Sequence, residues 1–187
     1  MLVAAVLGAG VAATVAGLGP LGDEVRELTL PLRHEDIIRQ QARDKDLDPA
    51  LIAGVIYAES RFRDGQTSAA GAQGLMQITP ATAQMIARKS GGVAFTVEDL
   101  GTPQVNIAYG SWYLRYLMGR YAGNRTFALA AYNGGEGNVD RWISQARARD
   151  EDLTIAAIPF SETRTYVQRV LDAQRQYRRS YARELGI

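Results

Sequence analysis

Three times this 187-residue chain sets a side chain able to cap a helix immediately before a proline: Asp48-Pro49, Thr79-Pro80 and Thr102-Pro103. The capping oxygen accepts from an orphan N–H of the first turn, and proline at the first helical position forfeits no hydrogen bond. The stretches LDPALIAGVIYAES, ITPATAQMIARK and TPQVNIAYGSWYLRYLMGRYAG therefore read as helices, the last being the longest and ending near Gly123. Around them, a segment from about Glu35 to Lys45 places Ile37, Ile38 and Ala42 on one side. RTFALAAYN reads as a short apolar helix running into the loop GGEG, and NVDRWISQARARD is amphipathic. From Ser161, a last helix spaces Tyr166, Val170, Tyr177 and Tyr181 in helical steps. Strand-like alternation is confined to a weak GGVAFTV near residue 95. The pattern predicts one mainly α domain with glycine-rich loops at 64–75 and 133–138.

Composition narrows the chemistry. With no cysteine there is no disulfide, thiol nucleophile or cysteine-bound metal. His34 is the only histidine and lies ahead of the main body of the sequence, so a Ser-His-Asp arrangement or a multi-histidine metal site is nearly excluded. The net charge of +1 gives no reason to expect nucleic acid as a partner. The basic cluster Arg175, Arg178, Arg179 and Arg183 reads as a solvated helix face.

Residues 1–22 contain no charged side chain. As a helix they would extend roughly 33 Å, about the thickness of a bilayer's hydrocarbon core. They read as a membrane anchor in preference to a cleaved signal, and either one implies export. Gly8, Gly10 and Ala13 also imitate a dinucleotide-binding turn. That turn needs a βαβ unit, and the charged DEVRELTLPLRHEDIIRQQARDKDLD that follows does not supply one. Residues 23–33 read as a linker and 34–187 as the folded domain.

One carboxylate breaks the apolar pattern. Ile52, Val55, Ile56 and Glu59 share a helix face, so Glu59 continues a buried stripe. Desolvation disfavours the ionised carboxylate and raises its pKa, the condition a general acid needs near neutral pH. On spacing alone, a cap or an ion pair with Arg61 or Arg63 at the domain edge is the better explanation of Glu59.

Four blocks in order decide between these readings: ESRF, SAAGAQGLMQITPATA, NIAYGSWYLRYL with ALAAYNGGEGNV, and FSETRTYVQRVL. Together they resemble the family 1 lytic transglycosylases, the soluble-lytic-transglycosylase and goose-lysozyme-like group, over roughly residues 34–175. The resemblance implies a lysozyme-like catalytic domain with a glycan-binding cleft. It implies cleavage of the β-1,4 bond between N-acetylmuramic acid and N-acetylglucosamine in peptidoglycan, leaving 1,6-anhydromuramoyl ends. No metal and no cofactor are implied.

Under this resemblance Glu59 is the single catalytic acid and base. Ser60 follows it and is expected to bond locally to backbone or to Glu59. Ser68 and Gln77 match positions that line the cleft and bind the sugar or its acetamido group. Met76 matches a residue beside the cleft, with core packing an equal alternative. Gly71 and Gly74 would let the backbone turn and approach the glycan. Tyr132 and Asn133 match the Ala-Tyr-Asn loop, and Glu162 and Tyr166 match the closing segment, Glu162 being expected as a buried supporting partner. Asp64 reads as a loop residue, and Trp112 and Trp142 as core. Gly134 stands where the family usually has alanine, and Glu136 would add a carboxylate beside the cleft.

The resemblance makes peptidoglycan strands the partner, in the cell envelope, with the membrane reached through residues 1–22 and other envelope proteins as further partners. A hydrolytic muramidase would share the fold and the acid, and a non-catalytic peptidoglycan-binding module is the third alternative.

Overall fold

The computed structural model describes residues 26–91 and 97–187. The apolar segment 1–22 and most of the strand-like stretch near residue 95 lie outside the described residues. The described residues fall into two units, one ending at Arg33, with 26–29 helical, and the other starting at His34. Among the described residues the second unit is built of helices joined by loops, and no β-strand forms beyond two isolated bridges in the 64–78 loop.

In chain order the helices are α1 (Glu35–Lys45), α2 (Pro49–Ser60), α3 (Pro80–Ser90), α4 (Pro103–Arg120), α5 (Arg125–Gly134), α6 (Glu136–Arg147), α7 (Ser161–Ser180) and α8 (Ala182–Leu185). Two of the three predicted caps form: Asp48 accepts from the Ala50 N–H, and Thr79 from the Thr82 N–H. Thr102 does not; its hydroxyl donates to the Asp99 carbonyl in the preceding 3-10 turn. α4 stops at Arg120, short of Gly123, because Ala122 and Gly123 both turn left-handed.

α2 is the centre of the unit. Every residue from Pro49 to Ile56 is buried, so the helix is surrounded on all sides, as its unbroken apolar run requires. Its main neighbour is α7, whose buried Tyr166, Val167, Val170, Ala173, Gln174 and Tyr177 form one stripe. Gly54 sets how closely the two helices approach. A Cβ there would lie 2.9 Å from the Val170 carbonyl oxygen and 3.1 Å from the Gln174 nitrogen. The capping Asp48 also accepts from Gln174 Nε2 and pairs with Arg178 at 2.9 Å, tying the start of α2 to the end of α7. Both helices are thereby fixed where the Glu59 end of α2 meets the first turns of α7.

One predicted loop is absent. The expected 133–138 loop shrinks to Gly135, with α5 running through Gly134 and α6 starting at Glu136. Gly135, at φ 84° and ψ 143°, makes the break alone. Gly134 stays helical because it packs against α7: a Cβ there would meet Thr163 Oγ1 at 2.9 Å. Trp142 is buried against Phe160, whereas Trp112 is only half-buried, stacked on Tyr116 at 5.6 Å.

Candidate active site

Glu59 sits in the last turn of α2, half-buried, one turn beyond the fully buried Val55 and Ile56. The chain then leaves the helix through two consecutive left-handed residues, Arg61 and Phe62. Such a conformation in a bulky side chain persists only when its surroundings hold it. Phe62 is held by burial against Tyr177, and Arg61 by Tyr57, whose hydroxyl accepts from it at 3.0 Å. Burial raises the Glu59 pKa from 4.5 to about 7, against the smaller opposing effects of the Tyr166 hydroxyl and the Arg169 charge. A carboxyl in that range is populated in both protonation states at neutral pH.

Three sets of residues converge there. The first is the 64–78 loop, held from beneath by Asn106, which is completely buried in α4. Its amide accepts from the Met76 N–H at 2.7 Å and donates to the Gln73 and Leu100 carbonyls at 2.8 and 2.9 Å. Gly74 is required at this contact: at φ +72°, a Cβ would fall 2.3 Å from the Asn106 amide nitrogen. Gln77, itself left-handed, braces the loop from within, donating to the Gly74 and Gln66 carbonyls. Ser68 is exposed at the far turn, where its hydroxyl accepts from the Ala72 N–H and Gly71 supplies the positive φ. Met76 is fully buried, its side chain packed where a Cβ on Gly110 would stand.

The second is Tyr132 of α5. Its hydroxyl donates to the Met76 carbonyl at 2.9 Å, and its ring leans on Tyr113 at 5.3 Å. Burial and the Glu59 charge both hold its pKa far above the ordinary tyrosine value, so it remains a neutral donor. The third is the start of α7 with Asn133. Thr163 is buried and donates to Asn133 Oδ1 at 2.8 Å, which turns the Asn133 amide nitrogen away from that contact. Glu162 is exposed, correcting its expected burial. In the first turn of α7 its carboxylate is favoured facing water at the positive helix end, and the inward position belongs to Thr163.

Glu59, Asn133, Glu162, Tyr166 and Arg169 line one cavity of about 400 Å³. The Tyr166 hydroxyl is buried without a hydrogen-bond partner at ordinary geometry, although it is close enough to Glu59 to act on its proton affinity. Two further cavities adjoin. One shares Asn133, Ser161 and Glu162 and contains the exposed Phe160; the other shares Thr165 and Arg169 and continues along α7.

Of the predicted residues, Glu59, Asn133, Glu162 and Tyr166 are thus brought to one cavity, and Tyr132, outside its lining, is near enough for the Glu59 charge to raise its pKa. Ser60 is turned away, its buried hydroxyl bonded to the Ile56 carbonyl. Ser68, Met76 and Gln77 belong to the loop that flanks this cavity rather than to its lining. Glu136 is not beside it: Arg120 pairs with its carboxylate at 3.0 Å, and Tyr116 donates to it. Asp64 bonds to His34 at 3.1 Å, away from Glu59. Thr163, Arg169 and Asn106 escaped the sequence reading. Asn106 alone left a signal, as an amide amid the apolar residues of a long helix. Among the described residues no cluster of three or more His, Asp or Glu could hold a metal ion.

Residues 36–155 match the family model described as the transglycosylase SLT domain. The chain is 37% identical over 175 residues to the soluble lytic murein transglycosylase of Salmonella typhimurium, covering 90% of this chain and 26% of that protein. It is 30% identical to the membrane-bound lytic murein transglycosylase C of Glaesserella parasuis, over 84% of this chain and 52% of the relative. The 70 kDa soluble lytic transglycosylase of Escherichia coli, also solved with bulgecin A, superposes with a TM-score of 0.76 at 34% identity, covering 90% of this chain and 27% of that one. An inactive mutant of lytic transglycosylase Slt from Pseudomonas aeruginosa gives 0.76 at 33%, covering 84% of this chain and 26% of that one. The chain spans about a quarter of the length of the soluble relatives it matches. A family match over most of the helical unit, on a shared fold, establishes that the chain belongs to the SLT-domain transglycosylase family.

Proposed function

We propose that residues 34–187 form a peptidoglycan lytic transglycosylase domain that cleaves the β-1,4 bond after N-acetylmuramic acid, with Glu59 as sole acid and base. The observation that carries this is the Glu59 carboxyl, half-buried at the end of α2 with a pKa of about 7 and opening into a cavity it shares with Asn133, Tyr166 and Arg169. The printed names of the relatives, all lytic murein transglycosylases, point the same way. In the first step, protonated Glu59 gives its proton to the glycosidic oxygen while the substrate's own acetamido carbonyl closes on the anomeric carbon. In the second, ionised Glu59 takes the proton of the C6 hydroxyl, whose oxygen captures the anomeric carbon and closes the anhydro ring. Tyr132 and Asn133 are suited to hold the acetamido group and the sugar. The cleft is read as the Glu59 cavity together with the adjoining one, where exposed Phe160 offers a face on which a sugar ring can stack.

A second reading has one observation in its favour. Glu162 lines the cavity with an exposed carboxylate, as a water-activating base in a hydrolytic muramidase would. Both readings need Glu59, and the products separate them.

Residues 1–22 serve in this proposal as an envelope anchor or export signal and 23–33 as the linker, which places the domain outside the cytoplasm. Among the described residues no helix is long and apolar enough to cross a membrane. Glu59→Gln tests the proposal: release of soluble fragments from purified peptidoglycan should fall at least 1,000-fold with the circular dichroism spectrum unchanged. Retention of a tenth of the activity would refute it.

A further inference from the structure

The Glu59 cavity is lined by two carboxyls and one cation. Of its side chains only Glu59, from α2, and Glu162 and Arg169, from α7, carry charge near neutral pH. The other titratable groups that act on this end of the site are phenols. Tyr166 of α7, Tyr132 of α5 and Tyr113 of α4, on which Tyr132 leans, are all held neutral by burial. A single guanidinium therefore faces both carboxyls.

Arg169 stands one helical turn beyond Tyr166, on the face of α7 that closes the cavity. Its side chain is exposed and forms no close ion pair with either carboxyl, so it adds little to folding. Its charge nevertheless reaches Glu59 and favours the ionised form against the effect of burial. Arginine keeps its protons throughout, so it can act here only as a fixed positive charge.

The reaction asks Glu59 to change charge twice. After the first proton transfer it is a carboxylate in surroundings that penalise that form, and it must persist until the C6 hydroxyl gives up its proton. A glycan filling the cavity removes water that would otherwise stabilise the new charge, which strengthens the interactions that remain. Glu162 acts in the opposite sense, drawing on the same guanidinium and repelling a second carboxylate across the cavity.

We propose that Arg169 is a positioning residue for the reaction: it is the one counter-charge that Glu59 and Glu162 share, it sustains ionised Glu59 between the two proton transfers, and Glu162 sets how much of it Glu59 receives. The inference rests on the reading of Glu59 as the acid and base.

It is tested on the full chain by following kcat/KM on purified peptidoglycan against pH, for wild type, Arg169→Gln, Arg169→Lys and Glu162→Gln. Glu59 must start protonated, so the rate falls on the alkaline side near its pKa of about 7. In Arg169→Gln that limb should move up by about half a pH unit, and the rate at the optimum should fall about tenfold. Arg169→Lys should return both toward wild type. In Glu162→Gln the limb should move down by about half a unit, because Glu59 then has the cation to itself. Lost packing would not shift the two variants in opposite directions. Limbs that stay in place in both Arg169→Gln and Glu162→Gln overturn the proposal, as does Arg169→Lys behaving like Arg169→Gln, and the catalytic reading then stands. The same shifts are read without turnover by carbon-13 NMR titration of the carboxyl signal that Glu59→Gln lacks. Opposite shifts of that signal in a chain that releases no fragments would keep the shared counter-charge and refute the catalysis.

Discussion

Replacing Asn106 with alanine should release the loop that flanks the site, at a cost the structure lets one work out. The Asn106 amide is completely buried and makes three hydrogen bonds, to the Met76 N–H and to the Gln73 and Leu100 carbonyls. Removing it leaves two buried backbone groups and the part-buried Gln73 carbonyl without that partner, each buried one costing about 1–3 kcal/mol. With partial relief by water entering the space, the loss should be about 3–5 kcal/mol. A domain holds only about 5–15 kcal/mol in all, so the change takes up a large share of its stability. In urea, with a slope of about 2 kcal/mol per molar, the midpoint should drop by roughly 2 M. Asn106→Asp controls for volume: it keeps the acceptor for Met76 but loses both donors and points a carboxylate at two carbonyls, so it should be at least as damaging. Both unfolding curves are read by circular dichroism. A loss below about 1 kcal/mol in both variants would refute the reasoning, showing that the loop is held by something other than this amide.

Other expectations follow from single contacts. Gly54→Ala gains helix propensity but drives a Cβ against α7 backbone at 2.9 Å, so it should destabilise by about 1–3 kcal/mol in denaturant, and a neutral result would mean α2 and α7 can separate freely. Thr163→Val removes the donor to Asn133 Oδ1 at constant shape; kcat/KM on peptidoglycan should fall about tenfold with stability changed by less than about 1.5 kcal/mol, and Thr163→Ser should restore it. The raised Glu59 pKa fixes a pH signature. Below pH about 4.5 folded and unfolded chains both hold this proton; between there and about 7 only the folded chain does, so stability falls with rising pH across that window and levels off above it. Glu59→Gln should therefore be more stable than wild type at pH 8 by about 3 kcal/mol and lose that advantage by pH 4, as measured by urea titration at each pH.

Helices were legible because their signals are local. Asp48-Pro49 and Thr79-Pro80 name their own starts, and the stripe ending in Glu59 showed which way that carboxyl would face. The 133–138 region was misread because glycine ordinarily marks a loop, while Gly134 is there to let Thr163 come close, a fact held in another helix. The exit after Ser60 was hidden for the opposite reason: left-handed Arg61 and Phe62 carry no glycine, and only the packing of Phe62 on Tyr177 permits them. Glu162 was expected inward and Thr163 takes that place, because a one-residue shift in helical phase decides which of two polar neighbours turns inward. Arg169 acts on Glu59 and Asn106 on Gln73 and Met76, partners dozens of residues away, and no spacing within one segment reveals such pairs.

The central claim is that one carboxyl, alternating between its two protonation states, completes the reaction without water. It is tested most directly by mass spectrometry of the muropeptides released when the full chain digests purified peptidoglycan. The account predicts muramoyl ends lighter by one water than their hydrolytic counterparts, and none from Glu59→Gln. Fully hydrated reducing ends from the wild-type protein would contradict it and give Glu162 the role of activating water.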